Sequence, residues 1–215
     1  MPQISVNEHS SVRIQGAAGV VYVDPFHVAE KNADATVVCV THTHFDHYDP
    51  ESIQNIATAQ TLFLAPADVA AELQKQGVEA ARITVVEPGQ SCAPAGIPVE
   101  VVAAYNVGKQ FHPRENGWVG YVVTLDDQRV YVCGDTDNTP EARAVKADIV
   151  CVPVGGTYTT TAVEAAQLVA ALNPLPQVAI PEHYGTVVGS AEDGAAFRDA
   201  LASLVGDAVQ VQLPY

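Results

Sequence analysis

Four metal-binding side chains fall within six consecutive residues, His42-Thr43-His44-Phe45-Asp46-His47, directly after the apolar run Thr36-Val37-Val38-Cys39-Val40-Thr41. A run apolar on both faces reads as a buried strand. A strand that ends there sets the cluster at a sheet edge, within reach of a small substrate. His42 and His44 are two apart on extended chain, so they face the same way and can grip one ion together. Asp46 and His47 lie where the chain turns, and can point to a neighbouring ion. Imidazole nitrogens and a carboxylate suit zinc and its first-row neighbours. A solvent-exposed loop would account for one histidine, but not for three of the chain's seven in six positions. The expected chemistry is metal-assisted hydrolysis.

Strand and helix signals alternate along the rest of the chain. Short strands are predicted over residues 4–6, 11–15 and 20–24. Asp49-Pro50 places an Asp cap before a Pro at the first helical position, and that helix is predicted to run to about Ala59. A strand over 61–64 precedes a helix from Pro66 to Gln76, which Gly77 ends. Strands over 82–86 and 99–103 lead to a hairpin of 117–125 and 129–133. A short helix starts at Thr139-Pro140, and a strand covers 148–154. Thr161-Ala162-Val163-Glu164 is a capping-box sequence opening a helix to Leu172. A strand over 177–180, a helix capped by Ser190 and a last strand over 209–213 complete the pattern. Val21-Tyr22-Val23-Asp24 with the later Val37-Val38-Cys39-Val40 is echoed by Val130-Tyr131-Val132, Asp135 and Ile149-Val150-Cys151-Val152. One domain, 1–215, is expected, with two related halves of about 1–105 and 106–215 or a chance similarity of apolar strands.

Charge narrows the partners. With 25 acidic and 10 basic residues, net −15, the chain lacks the basic footprint of a nucleic-acid binder. A small-molecule substrate is expected, without nucleic acid or membrane, and a homo-oligomer is not forbidden. No signal peptide is expected from the first residues. No run of 18 apolar residues argues for a membrane span, so the cytoplasm is the expected location. The cysteines Cys39, Cys92, Cys133 and Cys151 form no C-x-x-C pair and read as buried, reduced thiols.

The segment His42 to His47 resembles the signature of the metallo-β-lactamase superfamily of hydrolases. Asp24-Pro25, Gly134-Asp135-Thr136-Asp137, Val154-Gly155-Gly156-Thr157 and Pro181-Glu182-His183-Tyr184-Gly185 extend the resemblance, each after a predicted strand. Their order and separation are similar to the compact branch of ascorbate-6-phosphate lactonase-like proteins. The resemblance implies an α/β fold, a four-layer αββα sandwich of two mixed β-sheets flanked by helices. It implies two divalent metal ions, zinc first, with manganese or iron admitted by the same donors. His42 and His44 would hold the first ion, Asp46, His47 and His183 the second, and Asp135 would bridge them. The family's third histidine for the first ion has no counterpart after the strand over 99–103, where Tyr105-Asn106 stands. His112, six residues later, is the expected substitute.

As a hydrolase of this kind, the protein would use Asp46 and Asp135 in catalysis, acting on a lactone or phosphorylated cyclic ester through a metal-bound hydroxide. A phosphodiester is the alternative, as is a non-catalytic metal-binding or sensor protein. A β-lactam is disfavoured by the absence of a signal peptide, and RNA by charge. Asn106, Gly156, Thr157, Tyr158 and Tyr184 are expected to contact substrate. The glycines before the Thr161 helix could hold an anion or make a tight turn. Asp24 is expected either to orient a ligand histidine or to serve as a turn residue. His27 is a candidate for the site mouth, His9 reads as structural, and Trp118 and Tyr121 read as core.

Overall fold

The fold is described for residues 1–214 in a computed structural model. The first sheet holds β1 (Gln3–Val6), β2 (Val12–Gly16), β3 (Gly19–Val23), β4 (Val37–Cys39), β5 (Leu62–Ala65) and β6 (Ile83–Val85), neighbours in that order. Its first two pairings are antiparallel and its last three parallel. The second sheet holds β7 (Ser91–Cys92), β8 (Val99–Ala103), β9 (Val119–Leu125), β10 (Gln128–Val132), β11 (Ile149–Pro153), β12 (Val178–Glu182) and β13 (Gln210–Val211). From β8 onward its pairings repeat the pattern: two antiparallel, then three parallel. The chain changes sheet between Val85 and Ser91, so β7 and β8 precede a boundary near 105 yet belong to the second sheet.

Period-two alternation builds the layers. Val21 and Val23 face inward onto Tyr121, Val123, Val130 and Val132 in one core between the sheets. Their neighbours turn outward, because successive strand residues point to opposite faces. Tyr22, Val38 and Phe63 meet α1 (Pro50–Ile56) and α2 (Ala67–Lys75) on one outer face. Val122, Tyr131 and Val150 meet α3 (Pro140–Arg143), α4 (Ala162–Ala170) and α5 (Asp193–Val205) on the other. The result is four layers, helix, sheet, sheet, helix, as expected.

Local chemistry sets the ends of these elements. Asp49 accepts the Glu51 N–H at 3.1 Å and Pro50 opens α1. Both halves of the Thr161–Glu164 capping box form at α4. Asp126 and Asp127 both adopt positive φ, 49° and 59°, the geometry of a two-residue hairpin turn that follows strand twist. Two details differ from expectation. Ser190 does not cap α5; its backbone N–H donates to the Asp193 carboxylate at 2.7 Å, and the helix begins three residues later. The pairing of β7 with β8 covers two residues, too short to leave a periodic trace. Among the described residues, no helix is long and apolar enough to cross a membrane.

Candidate metal centre

Six strands end at one place. His9 follows β1, Asp24 follows β3, the His42–His47 segment follows β4, the Asn106–His112 loop follows β8, Asp135 follows β10 and His183 follows β12. Both sheets therefore deliver side chains to a shared edge. The cost is local strain: His9, Asp24, His112 and His183 all have positive φ, 55°, 48°, 56° and 57°, where a Cβ is disfavoured. Gly134 does the same at φ 64° before Asp135, where a Cβ would come within 2.8 Å of the Val119 carbonyl oxygen.

One group of donors comprises His42, His44, His112 and Asp135. His44 Nδ1 lies 3.0 Å from His42 Nε2 and 3.1 Å from His112 Nε2. Asp135 Oδ2 is 3.0 Å from His112 Nε2 and 3.8 Å from His42 Nε2. The opposite ring nitrogens are already engaged. His112 Nδ1 is 3.1 Å from the Tyr158 carbonyl oxygen, and His42 Nδ1 is 2.9 Å from the Thr41 hydroxyl. A histidine that donates one N–H to the protein turns the lone pair of its other nitrogen to the site. Zinc–nitrogen bonds of about 2.0–2.1 Å place tetrahedral donors roughly 3.3 Å apart, close to these separations.

The second group lies on the other side of Asp135. Its Oδ1 is 3.2 Å from His47 Nε2 and 3.3 Å from His183 Nε2. Asp46 Oδ2 stands 3.4 Å from His183 Nε2 and 3.8 Å from His47 Nε2. His47 Nδ1 donates to Asp24 Oδ2 at 2.7 Å, and Asp24 also accepts the Thr41 N–H at 2.7 Å and hydroxyl at 2.6 Å. Of the two roles expected for Asp24, the geometry is that of orienting a histidine.

Burial and charge act against each other here. Burial favours neutral Asp135, but the charges of His183 and His47, with His112 beside its other oxygen, hold it well below the usual carboxylate range. Asp46 is held low in the same way against its burial, by His183, His9 and His47. Burial also depresses His42, and the charge of His47 adds to the effect. His183 is buried yet rises to about 9, because Asp135 and Asp46 face it. Neutral imidazoles on one side and carboxylates demanding positive charge on the other are what a cation site requires. The buried atoms His9 Nε2, His47 Nε2, His183 Nε2 and Asp135 Oδ1 have no hydrogen-bond partner. Such orphaned polar atoms are costly, and divalent cations would satisfy them. The residues fit the group.

Two residues near the centre escaped the sequence reading. His9 is fully buried, with Nε2 3.3 Å from Asp46 Oδ2 and its ring 4.0 Å from the His183 ring. Its carbonyl accepts the His183 N–H at 3.0 Å, and the neighbouring Ser10 hydroxyl donates to the Asp46 carbonyl. Trp118, expected in the core, instead covers the site: its ring centroid is 4.7 Å from His42 and 5.0 Å from His44, and Nε1 donates to Asp68 at 2.8 Å. Tyr121 is core, its hydroxyl donating to the Val40 carbonyl at 2.8 Å.

The expected substrate contacts separate. Tyr158 lines the cavity above the centre together with His44, Asp46, His112, Asp135 and His183. Tyr184 is corrected to a core residue, packed in the layer with Phe197 and Leu201. Asn106 is corrected to a loop anchor: its side-chain N–H donates to the Phe111 and Tyr158 carbonyls at 3.0 and 2.5 Å, and its backbone N–H to His112 at 2.8 Å. Gly156 and Thr157 lie off the cavity wall. Gly156 makes a turn closed on the Thr160 carbonyl at 3.1 Å, and the Thr161–Glu164 box occupies the helix start that an anion would need. His27 is exposed and paired with Glu8 at 3.1 Å, outside this cavity.

The sequence profile of a family described as the beta-lactamase superfamily domain matches residues 3–183. A UPF0173 metal-dependent hydrolase of Methanoregula boonei is 30% identical over 203 residues, 90% of this chain and 86% of that one. One of Aeropyrum pernix is 29% identical over 205 residues, 86% of this chain and 84% of that one. A solved structure from Parabacteroides distasonis, assigned as a metal-dependent hydrolase, superposes with TM-score 0.81 at 26% identity, covering 99% of this chain and 92% of its own. Igni18, a metallo hydrolase of Ignicoccus hospitalis, shares the fold with TM-score 0.77 at 20% identity, covering 99% and 94%.

Proposed function

Because this chain belongs to the beta-lactamase superfamily of metal-dependent hydrolases, we propose that it binds two divalent ions and opens a small ester-like substrate, a lactone or phosphorylated cyclic ester. The branch of ascorbate-6-phosphate lactonase-like proteins is the one its sequence resembles. The observation that carries the reading is the two-sided placement of Asp135, with one oxygen toward His112 and the other toward His47 and His183.

His42, His44 and His112 would hold one ion, Asp46, His47 and His183 the other, and Asp135 both. Bound there, zinc, manganese or iron would supply Lewis acidity and lower the pKa of a coordinated water.

The protein's own groups then have defined tasks. Asp24 fixes the His47 tautomer by accepting its Nδ1–H, and the Tyr158 carbonyl does the same for His112. Asp46 borders the cavity while contacting His183, so it can orient an attacking water by accepting a hydrogen bond from it. Trp118 shields His42 and His44 on the side of Asp68, which lowers the local dielectric and strengthens each electrostatic contact.

The test is a panel of lactones and phosphodiesters assayed with zinc, manganese and iron each supplied. Lactone turnover that depends on metal supports the proposal. Phosphodiester turnover alone would assign the alternative substrate, and tight metal binding without turnover of either would assign a sensor.

A further inference from the structure

The cavity over the metal centre changes chemistry from floor to rim. Histidines and carboxylates form the floor, and Phe45, Phe111, Tyr158 and Val187 form the rim. These four are 66%, 43%, 37% and 40% exposed. Single exposed apolar residues are ordinary on a protein surface. Four around one opening of about 290 Å³ form the apolar lining that marks a ligand site. The rim is also supported from below and beside. Phe111 packs edge-on against Tyr158 with centroids 4.7 Å apart at 77°, and Phe45 packs edge-on against the buried Phe26 at 6.2 Å and 70°.

Charge at the rim weighs against one class of substrate. No lysine or arginine lines this cavity among the described residues. Lys109, in the loop that carries His112, has its ammonium on Asp137 and on the Thr159 carbonyl. A phosphate or carboxylate at the rim would find no cationic partner in a chain of net charge −15, and such groups are normally read by arginine or lysine.

We propose that the substrate is an uncharged ester or lactone bearing an apolar alkyl or aryl group, which packs between Phe45, Phe111, Tyr158 and Val187 while the ester lies on the polar floor. The inference rests on the hydrolase reading above and selects the neutral member of its substrate class. In the reaction, water adds its oxygen to the carbonyl carbon. The acyl carbon–oxygen bond breaks, the departing alkoxide takes a proton, and a carboxylate with one released proton remains.

Alkyl hydroxamates from acetohydroxamate to octanohydroxamate keep one metal-gripping head and vary only the tail. Their binding to the zinc-loaded full chain is measured by calorimetry. Turnover of neutral lactones of matching chain length is measured beside a phosphorylated sugar lactone. The expected result is a Kd that falls by up to about fourfold per added methylene until the cavity fills. Phe111→Ser and Val187→Ser should flatten that slope, and neutral long-chain lactones should outrun the phosphorylated one. A Kd independent of tail length, or preference for the phosphorylated lactone, overturns the apolar subsite whatever the overall activity. A clear tail-length slope with no turnover of any ester supports the subsite and overturns the hydrolytic reading instead.

Discussion

Asp135 Oδ2 stands 3.0 Å from His112 Nε2, although the two residues sit on different loops of the second sheet. The other oxygen of the same carboxylate faces His47 at 3.2 Å, a residue delivered by the first sheet. One side chain thus joins both donor groups and both sheets. Replacing it tests the two at once. Asp135→Ala is expected to abolish turnover and reduce the bound metal below two ions per chain, with the circular dichroism spectrum retained. Full activity in a metal-replete Asp135→Ala protein would contradict the account.

His112 reaches the centre from a loop tied down elsewhere. Asn106 spans the loop base, and Lys109 joins it to Asp137 and the Thr159 carbonyl. Outer hydrogen-bond partners of metal ligands are worth about 10–100-fold in affinity. Loss of the direct donor in His112→Ala should weaken the first ion by roughly 100-fold or more on that scale. Competitive titration with a chromophoric chelator reads this, and an affinity equal to wild type would remove His112 from the ligand set.

Asp24 offers a different prediction, because it stabilises fold and site together. It is buried and accepts from Thr41 twice and from His47 once. Removing one partner of such a buried network costs about 3–5 kcal/mol. Asp24→Ala should lower stability by that order in urea unfolding and weaken metal binding about 10–100-fold. Unchanged unfolding midpoints would show that the Asp24 contacts contribute little.

His9 holds Asp46 and His183 from the first loop of the chain. Replacement by Ala removes its side-chain contact with Asp46, whereas Gln at this position retains a side-chain N–H donor. His9→Ala is expected to lower affinity for the second ion about 10–100-fold, and His9→Gln to lower it less. The check is metal content after dialysis against graded chelator. Equal loss in both variants would argue that the ring's packing on His183 matters more than its donor.

Metal removal should also be felt in stability. Crowded carboxylates and imidazoles are left without their counter-charge, and a ligand at 100 times its Kd stabilises by about 2.7 kcal/mol. Chelator-treated protein should therefore melt several degrees lower and recover when zinc is restored. An identical Tm in both states would mean that the cations do not bind the folded chain selectively.

The fold was largely readable because apolar runs, caps and turn residues agree along the chain. Thr161–Glu164 and Asp49-Pro50 appear as expected, and so does the hairpin after Leu125, with its turn tightened to Asp126-Asp127 and Gln128 drawn into the strand. The centre was partly readable for the same reason: His42, His44, His47, Asp135 and His183 all follow strands whose ends the apolar pattern marks. His9 also follows a strand end, but nothing around it is rich in donors, so the isolated histidine read as structural. Tyr184 was misplaced by its neighbour. His183, just past the end of β12 at φ 57°, turns into the site, and the next residue packs into the layer with Phe197. Trp118 read as core because ring burial against histidines and ring burial against aliphatic residues look alike in one dimension.

Crystals grown with metal and measured at the zinc, manganese and iron absorption edges test the central claim most directly. The account predicts two anomalous peaks, one among His42, His44 and His112 and one among Asp46, His47 and His183, with Asp135 touching both. A single ion, or a pair that leaves Asp135 uncoordinated, would contradict it.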